Sequence, residues 1–188
     1  MVDLPEVHAR ALDDTRRFIA GITPAQWTGP SPCSDWDVRA LVNHVVSGNF
    51  WVAPLVEGQT IAEVGDRYDG DVLGDDPLET YDRSSAEAAS AFRAPGAMEA
   101  PVAVSYGPVP GALYAGHRFI DVLIHGWDVA QATGQDTTLD PDLLDACWEV
   151  LEPQIDLLAG SGMFGTRHDV PDGASTETRI LCLLGRTP

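Results

Sequence analysis

The sequence predicts an all-α protein, a bundle of five long helices at most or of four principal ones and a terminal piece, with a short irregular C-terminal tail. Three observations lead there. Start and stop signals for helices are dense along the chain. Between those signals the apolar residues recur three and four apart. The connections between these helices carry prolines and glycines. The 188 residues, 44% of them hydrophobic and 21% charged, suit one globular domain spanning 1–188.

The first helix runs from about Asp3 to Ala20 and stops at Gly21. Thr23, Pro24 and Gln26 form a capped turn. Ser34, with Asp37 three residues on, opens the second helix, which reaches Glu57 and ends at Gly58. Asp76-Pro77-Leu78-Glu79 is a cap, a first-turn proline and a third-position glutamate, so a third long helix starts there and runs to Arg93. Residues Ala97 to Gly111 hold Pro101, Pro108 and Pro110 around a β-prone Val102-Ala103-Val104, a loop or small hairpin. The fourth long helix spans Gly111 to Thr133 and stops at Gly134. A last one starts at Asp140-Pro141 and ends near Gly160. The tail is irregular until Ile180–Leu184, an apolar run expected to dock on the bundle.

Charge narrows the function. The net charge is -18 and all 11 basic residues are arginine. A surface of that sign opposes nucleic acid and anionic membranes, which are bound through basic groups. The N-terminus lacks the basic start and apolar centre of a signal peptide, and no long apolar run is present, so a cytoplasmic protein is expected. Cys33, Cys147 and Cys182 form no CxxC pair and are expected to be reduced, each packed in a turn or in the core.

Candidate chemistry lies on two helices. Tyr114, His117, Asp121, His125 and Asp128 make one polar stripe on the fourth long helix, facing either an internal cleft or water. Asp121 and His125, four apart, can grip one metal ion, although that spacing is common by chance. On the second helix Leu41, His44, Gly48, Trp51 and Leu55 form a core-facing seam. His44 there is either a satisfied core residue or a ligand, and Gly48 leaves space beside it. Three ligands on two helices would leave a coordination position open, as catalytic zinc sites do. His117 is a fourth ligand, a supporting partner or an exposed residue. His8, on the apolar face of the first helix, reads as a core histidine, and His168 as solvent-facing.

Two blocks carry a family resemblance. One is Trp36-Asp37-Val38-Arg39-Ala40-Leu41-Val42-Asn43-His44 with Gly48-Asn49 and the preceding Thr23-Pro24, Trp27 and Pro32-Cys33. The other is Asp121 through Gly134, with its Ile124-His125-Gly126-Trp127-Asp128 centre. Together they resemble an actinobacterial metal-binding family of DinB-like (YfiT-like) fold, related to the N-terminal domain of mycothiol-dependent maleylpyruvate isomerase. The resemblance implies a DinB-like four-helix bundle and a divalent metal held by His44, Asp121 and His125, with zinc the first choice and nickel or another ion the alternative. Asp121 stands where the isomerase has a glutamate, one methylene longer. The isomerase also has a further C-terminal domain, whereas this chain ends with the bundle, so maleylpyruvate isomerisation is not expected. What the resemblance implies is a mycothiol-dependent S-transferase or isomerase acting on a small electrophile, with His117 or Asp128 orienting a ligand or shuttling a proton. A hydrolase using metal-bound water, and a non-catalytic ligand-binding or stress-response module, are the rival readings. The expected partners are a small-molecule substrate and, as one possible assembly, a second copy in a homodimer.

Overall fold

The computed structural model describes residues 2–105, 107–155 and 165–188. Among them are seven α-helices and one two-stranded sheet. The elements are α1 (Leu4–Ala20), α2 (Val38–Val56), α3 (Ile61–Val64), α4 (Pro77–Phe92), β1 (Pro101–Val104), β2 (Gly107–Pro110), α5 (Gly111–Thr133), α6 (Pro141–Leu151) and α7 (Thr176–Leu183). A 3-10 turn, Glu152–Gln154, follows α6. No helix among the described residues is long and apolar enough to cross a membrane.

The helix starts follow from side-chain capping. Asp3, Asp76 and Asp140 each accept a first-turn backbone N–H, with proline in that turn. The cap of α2 is Asp37, which accepts from Ala40 N, and not Ser34; the helix starts a turn later than expected. Gly134, at φ 67°, closes α5 in the left-handed conformation that favours glycine.

Helix α1 packs on α5 and α4, and α2 on α4 and α5, so the four long helices close a ring around the core. Leu41, Val42, Val45, Phe119, Ile120 and Ile124 at its centre are fully buried. Each such side chain contributes about 1.5–3 kcal/mol relative to exposure. Helix α5 is the axis of the assembly and is buried along most of its length. Across the α2–α5 contact, His44 pairs with Asp121 and Asn49 with Arg118. The numbers rise on one helix as they fall on the other, so the two run antiparallel, as two seams sharing one site require.

The all-α reading needs two corrections. Strands β1 and β2 pair antiparallel with Val102 opposite Val109. The pair persists because Val102 is buried in a second apolar cluster with Phe92 and Tyr114. The tail is not wholly irregular: Ser175 caps α7, whose Ile180, Leu181 and Cys182 are buried, and α7 packs on α6. The last turns of the helix expected to reach Gly160 lie outside the described residues from 156 on.

Candidate metal centre

The antiparallel register of α2 and α5 brings His44 over Asp121, while the four-residue spacing on α5 stacks Asp121 under His125. Asp121 Oδ1 lies 3.2 Å from His44 Nε2 and 3.5 Å from His125 Nε2. The two imidazoles meet edge to face at 4.9 Å, and the Trp36 indole stacks on His44 at 4.7 Å. All three donor atoms lie within 4.8 Å of one another. Side-chain exposure falls from 36% at His44 to 19% at Asp121 and 8% at His125, so the cluster opens on the His44 side and is closed beneath. Two imidazole nitrogens and one carboxylate oxygen converging on one point are a fitting donor set for a divalent ion with an open position.

Each end of the cluster is held by a buried arginine. Arg118 donates to Asp121 Oδ2 at 2.8 Å, and also to Asn49 Oδ1 and the Val45 carbonyl. That leaves Oδ1 as the oxygen of Asp121 free to face a cation. The place expected to be open beside Gly48 is filled by this guanidinium: a Cβ at Gly48 would sit 2.3 Å from Arg118 Nη1. At the other end, His125 Nδ1 lies 2.9 Å from Asp128 Oδ2, which fixes Nε2 toward the cluster. Asp128 in turn accepts from Arg186 Nη2 at 2.6 Å and from Nε at 3.1 Å. Cys33 Sγ lies 3.5 Å from Asp128 Oδ2 and 3.9 Å from His125 Nδ1. Cys33, His125 Nδ1 and Asp128 also come close enough to suggest a second cation site. The Arg186 guanidinium already occupies that charge position, so we assign it no metal.

The electrostatics follow from these pairs. Burial by itself would raise the pKa of Asp121, but Arg118, His125 and His44 outweigh it and hold the carboxyl well below its usual range. Burial also opposes charge on His125, yet Asp121, the hydrogen bond to Asp128 and the nearby Cys33 hold its pKa up to about 9. A proton and a metal ion therefore compete for the same nitrogen. Asp128, fully buried, is kept below the usual carboxylate range against the cost of burial by His125 and Arg186.

A cavity of about 650 Å³ stands over the cluster, lined by His44, Asp121 and His125 and walled by Trp36, Pro32 to Asp35, Gly165, Gly185 and Arg186. The structure thus brings His44, Asp121, His125 and Asp128 together. His117 goes elsewhere: its Nε2 pairs with Gln154 Oε1 at 2.8 Å, and it lines neither this cavity nor the neighbouring one on His44. His8 is a core residue against Phe92, His168 is exposed, and Cys147 and Cys182 are buried. Sequence reasoning missed three participants. Arg118 carried a signal, since it stands three residues before Asp121 on the same helix face. Cys33 was expected only to pack in its turn, whereas its partners His125 and Asp128 are on α5. Arg186 had none, because 58 residues separate it from Asp128.

The sequence profile described as the mycothiol maleylpyruvate isomerase N-terminal domain matches residues 8–130. Two uncharacterised proteins of Mycobacterium tuberculosis are 35% identical to the chain over 189 aligned positions, covering 96% of each. Crystal structures of mycothiol-dependent maleylpyruvate isomerase superpose with TM-scores of 0.64 and, for a histidine-to-alanine mutant, 0.67. Both are 17% identical, with 81% of this chain and 68% of the isomerase covered, a likeness of fold.

Proposed function

We propose, on the premise that this chain belongs to the mycothiol maleylpyruvate isomerase N-terminal domain family, that it is a divalent-metal-dependent enzyme which uses mycothiol to transfer sulfur to, or to isomerise, a small electrophilic molecule. Its scaffold in this reading is a DinB-like four-helix bundle. The observation that carries the proposal is the convergence of His44 Nε2, Asp121 Oδ1 and His125 Nε2 at the floor of one cavity.

His44, Asp121 and His125 would hold the ion, zinc in the first instance. A divalent metal there supplies the positive charge that favours a thiolate over a thiol near neutral pH. The chain's own residues prepare that site. Asp128 and Arg186 fix the His125 ring so that Nε2 faces the cavity. Arg118 restrains the carboxylate of Asp121 by taking Oδ2, which leaves Oδ1 toward the histidines. Trp36 covers one face of His44 and restricts water there. Asp128 acts as an orienting group, since its carboxylate is fully buried. Arg186 has both nitrogens of its fork on Asp128 and is not spare for reading a substrate carboxylate. That argues for a small electrophile other than a dianion.

The test is metal analysis of the purified protein, followed by a panel of small electrophiles with and without mycothiol. We expect stoichiometric metal in the parent and conversion that needs both metal and thiol. Full metal occupancy in a His44→Ala, His125→Ala double variant would overturn the ligand assignment. Turnover that proceeds equally without thiol would replace the transferase reading with hydrolysis.

A further inference from the structure

A second cavity, of about 490 Å³, shares Trp36 and His44 with the cavity over the cluster but opens along the outer face of α2. Its walls are chemically unlike the first. Trp36, Trp51 and Tyr68 supply aromatic surface, and Asn43, Ser47 and Asp69 supply polar edges. No arginine or lysine lines it, so it has no group to neutralise a phosphate or carboxylate. The single charged residue on the wall, Asp69, is exposed and can accept hydrogen bonds from hydroxyls.

The wall is also built in advance. Asn43 Nδ2 donates to the Gly70 carbonyl, and Asn43 Oδ1 accepts from Val72 N at 2.8 Å. Ser47 Oγ donates to the Tyr68 carbonyl at 3.0 Å. Tyr68 is stacked on Phe50 at 5.4 Å and meets Trp51 edge-on at 6.1 Å. The 68–72 segment is therefore tied to α2 at several points, and little ordering cost remains for a ligand. Tyr68 is itself covered by Phe50 and the Arg67 guanidinium, so the indoles supply the open aromatic surface; beside the acceptor oxygen of Asp69, on a wall with no arginine or lysine, that surface suits a neutral polyhydroxylated ring. Its C–H faces lie on the aromatic surface and its hydroxyls meet the polar edges.

We propose that this cavity is the subsite for the sugar portion of the thiol cofactor, with the sulfur end passing His44 into the neighbouring cavity. The proposal rests on the thiol reading above and adds where the non-reacting part of the cofactor sits. His117 and the described residues of the 97–111 loop line neither cavity.

The test uses the full chain loaded with cobalt(II), whose thiolate charge-transfer absorption reports sulfur binding. It is titrated with mycothiol and with N-acetylcysteine, a thiol without the sugar. We expect mycothiol to bind about tenfold or more tightly, the equivalent of one well-made aromatic contact with its buried area. Trp51→Ala and Asp69→Ala should each lose most of that advantage and leave N-acetylcysteine unchanged. Asp69 lies on the surface, so its variant remains informative if Trp51→Ala melts early by circular dichroism. Equal affinity for both thiols in the parent, or a full mycothiol advantage in both variants, overturns the subsite. If neither thiol gives the absorption band, the metal–thiol reading fails, and the subsite is decided separately by tryptophan fluorescence with the thiol-free pseudodisaccharide. Saturable quenching lost in Asp69→Ala upholds the subsite, and no quenching overturns it.

Discussion

Replacing Gly48 by alanine sets two effects of opposite sign against each other. In an exposed helix interior the change stabilises by about 0.5–1 kcal/mol, because glycine loses more backbone freedom on folding. Here the new Cβ would lie 2.3 Å from Arg118 Nη1, 2.7 Å from Cζ and 2.8 Å from Nη2. The end of an arginine usually moves aside at little cost. This one is 9% exposed and committed to Asp121, Asn49 and the Val45 carbonyl. Displacing it strains or breaks hydrogen bonds to a charged group worth about 1.5–3 kcal/mol each, and overpacking adds about 1–3 kcal/mol. The clash wins, with a net destabilisation of about 2–4 kcal/mol. For a chain of this size that lowers Tm by about 5–15 °C. Urea denaturation of the metal-free protein measures it. In an Arg118→Ala background the clash is gone, so Gly48→Ala should become neutral or mildly stabilising there. A single variant as stable as the parent, or an equal penalty in both backgrounds, would refute the reasoning.

Three further outcomes follow from the same contacts. His125 has its pKa raised to about 9, so the stability its proton contributes to the metal-free protein is complete below about pH 6.5 and is lost as pH rises through about 9. Metal affinity should rise over the same window; a stability profile that is flat between those values, or unchanged in His125→Ala, would sink the assignment. His8 is fully buried with neither ring nitrogen hydrogen-bonded, and burial, aided by Arg118 and Arg93, pushes its pKa down to about 3. The unfolded chain then takes a proton that the native one refuses, costing about 4 kcal/mol between pH 6.5 and 3. His8→Leu should remove that part of the acid loss, as thermal melts across the range would show. Arg186→Ala leaves the buried Asp128 carboxylate without its cation and should destabilise by about 3–5 kcal/mol, with partial recovery in an Arg186→Met, Asp128→Asn pair. A loss under about 1 kcal/mol in the single variant would show that the clamp is not formed.

The helices were legible because their signals are local. A cap, a first-turn proline and a stop glycine lie within a few residues of the backbone groups they satisfy, so Asp76, Asp140 and Gly134 mark ends without knowledge of the fold. Asp121 and His125 were legible for the same reason, since four residues on a helix are one turn. Ser34 misled because Asp37, a better placed acceptor, stands three residues on. The β1–β2 pair was ambiguous because its strands are short and proline-rich, and only the apolar cluster under Val102 fixes them.

The sequence by itself determined the periodic helices, the acidic surface and three of the residues that meet at the centre. Tertiary structure alone decided what surrounds them. Whether the space beside Gly48 is empty or filled depends on where Arg118, 70 positions away, turns its guanidinium. Whether His117 or Cys33 joins the cluster depends on which neighbour each meets first, Gln154 for one and Asp128 for the other. The Arg186–Asp128 clamp joins the far end of the chain to α5 across 58 residues. Local spacing encodes which side chains share a helix face. It carries no information on which faces meet, because that is set by packing of the whole core, where each buried charge must find the one partner that the other helices leave within reach.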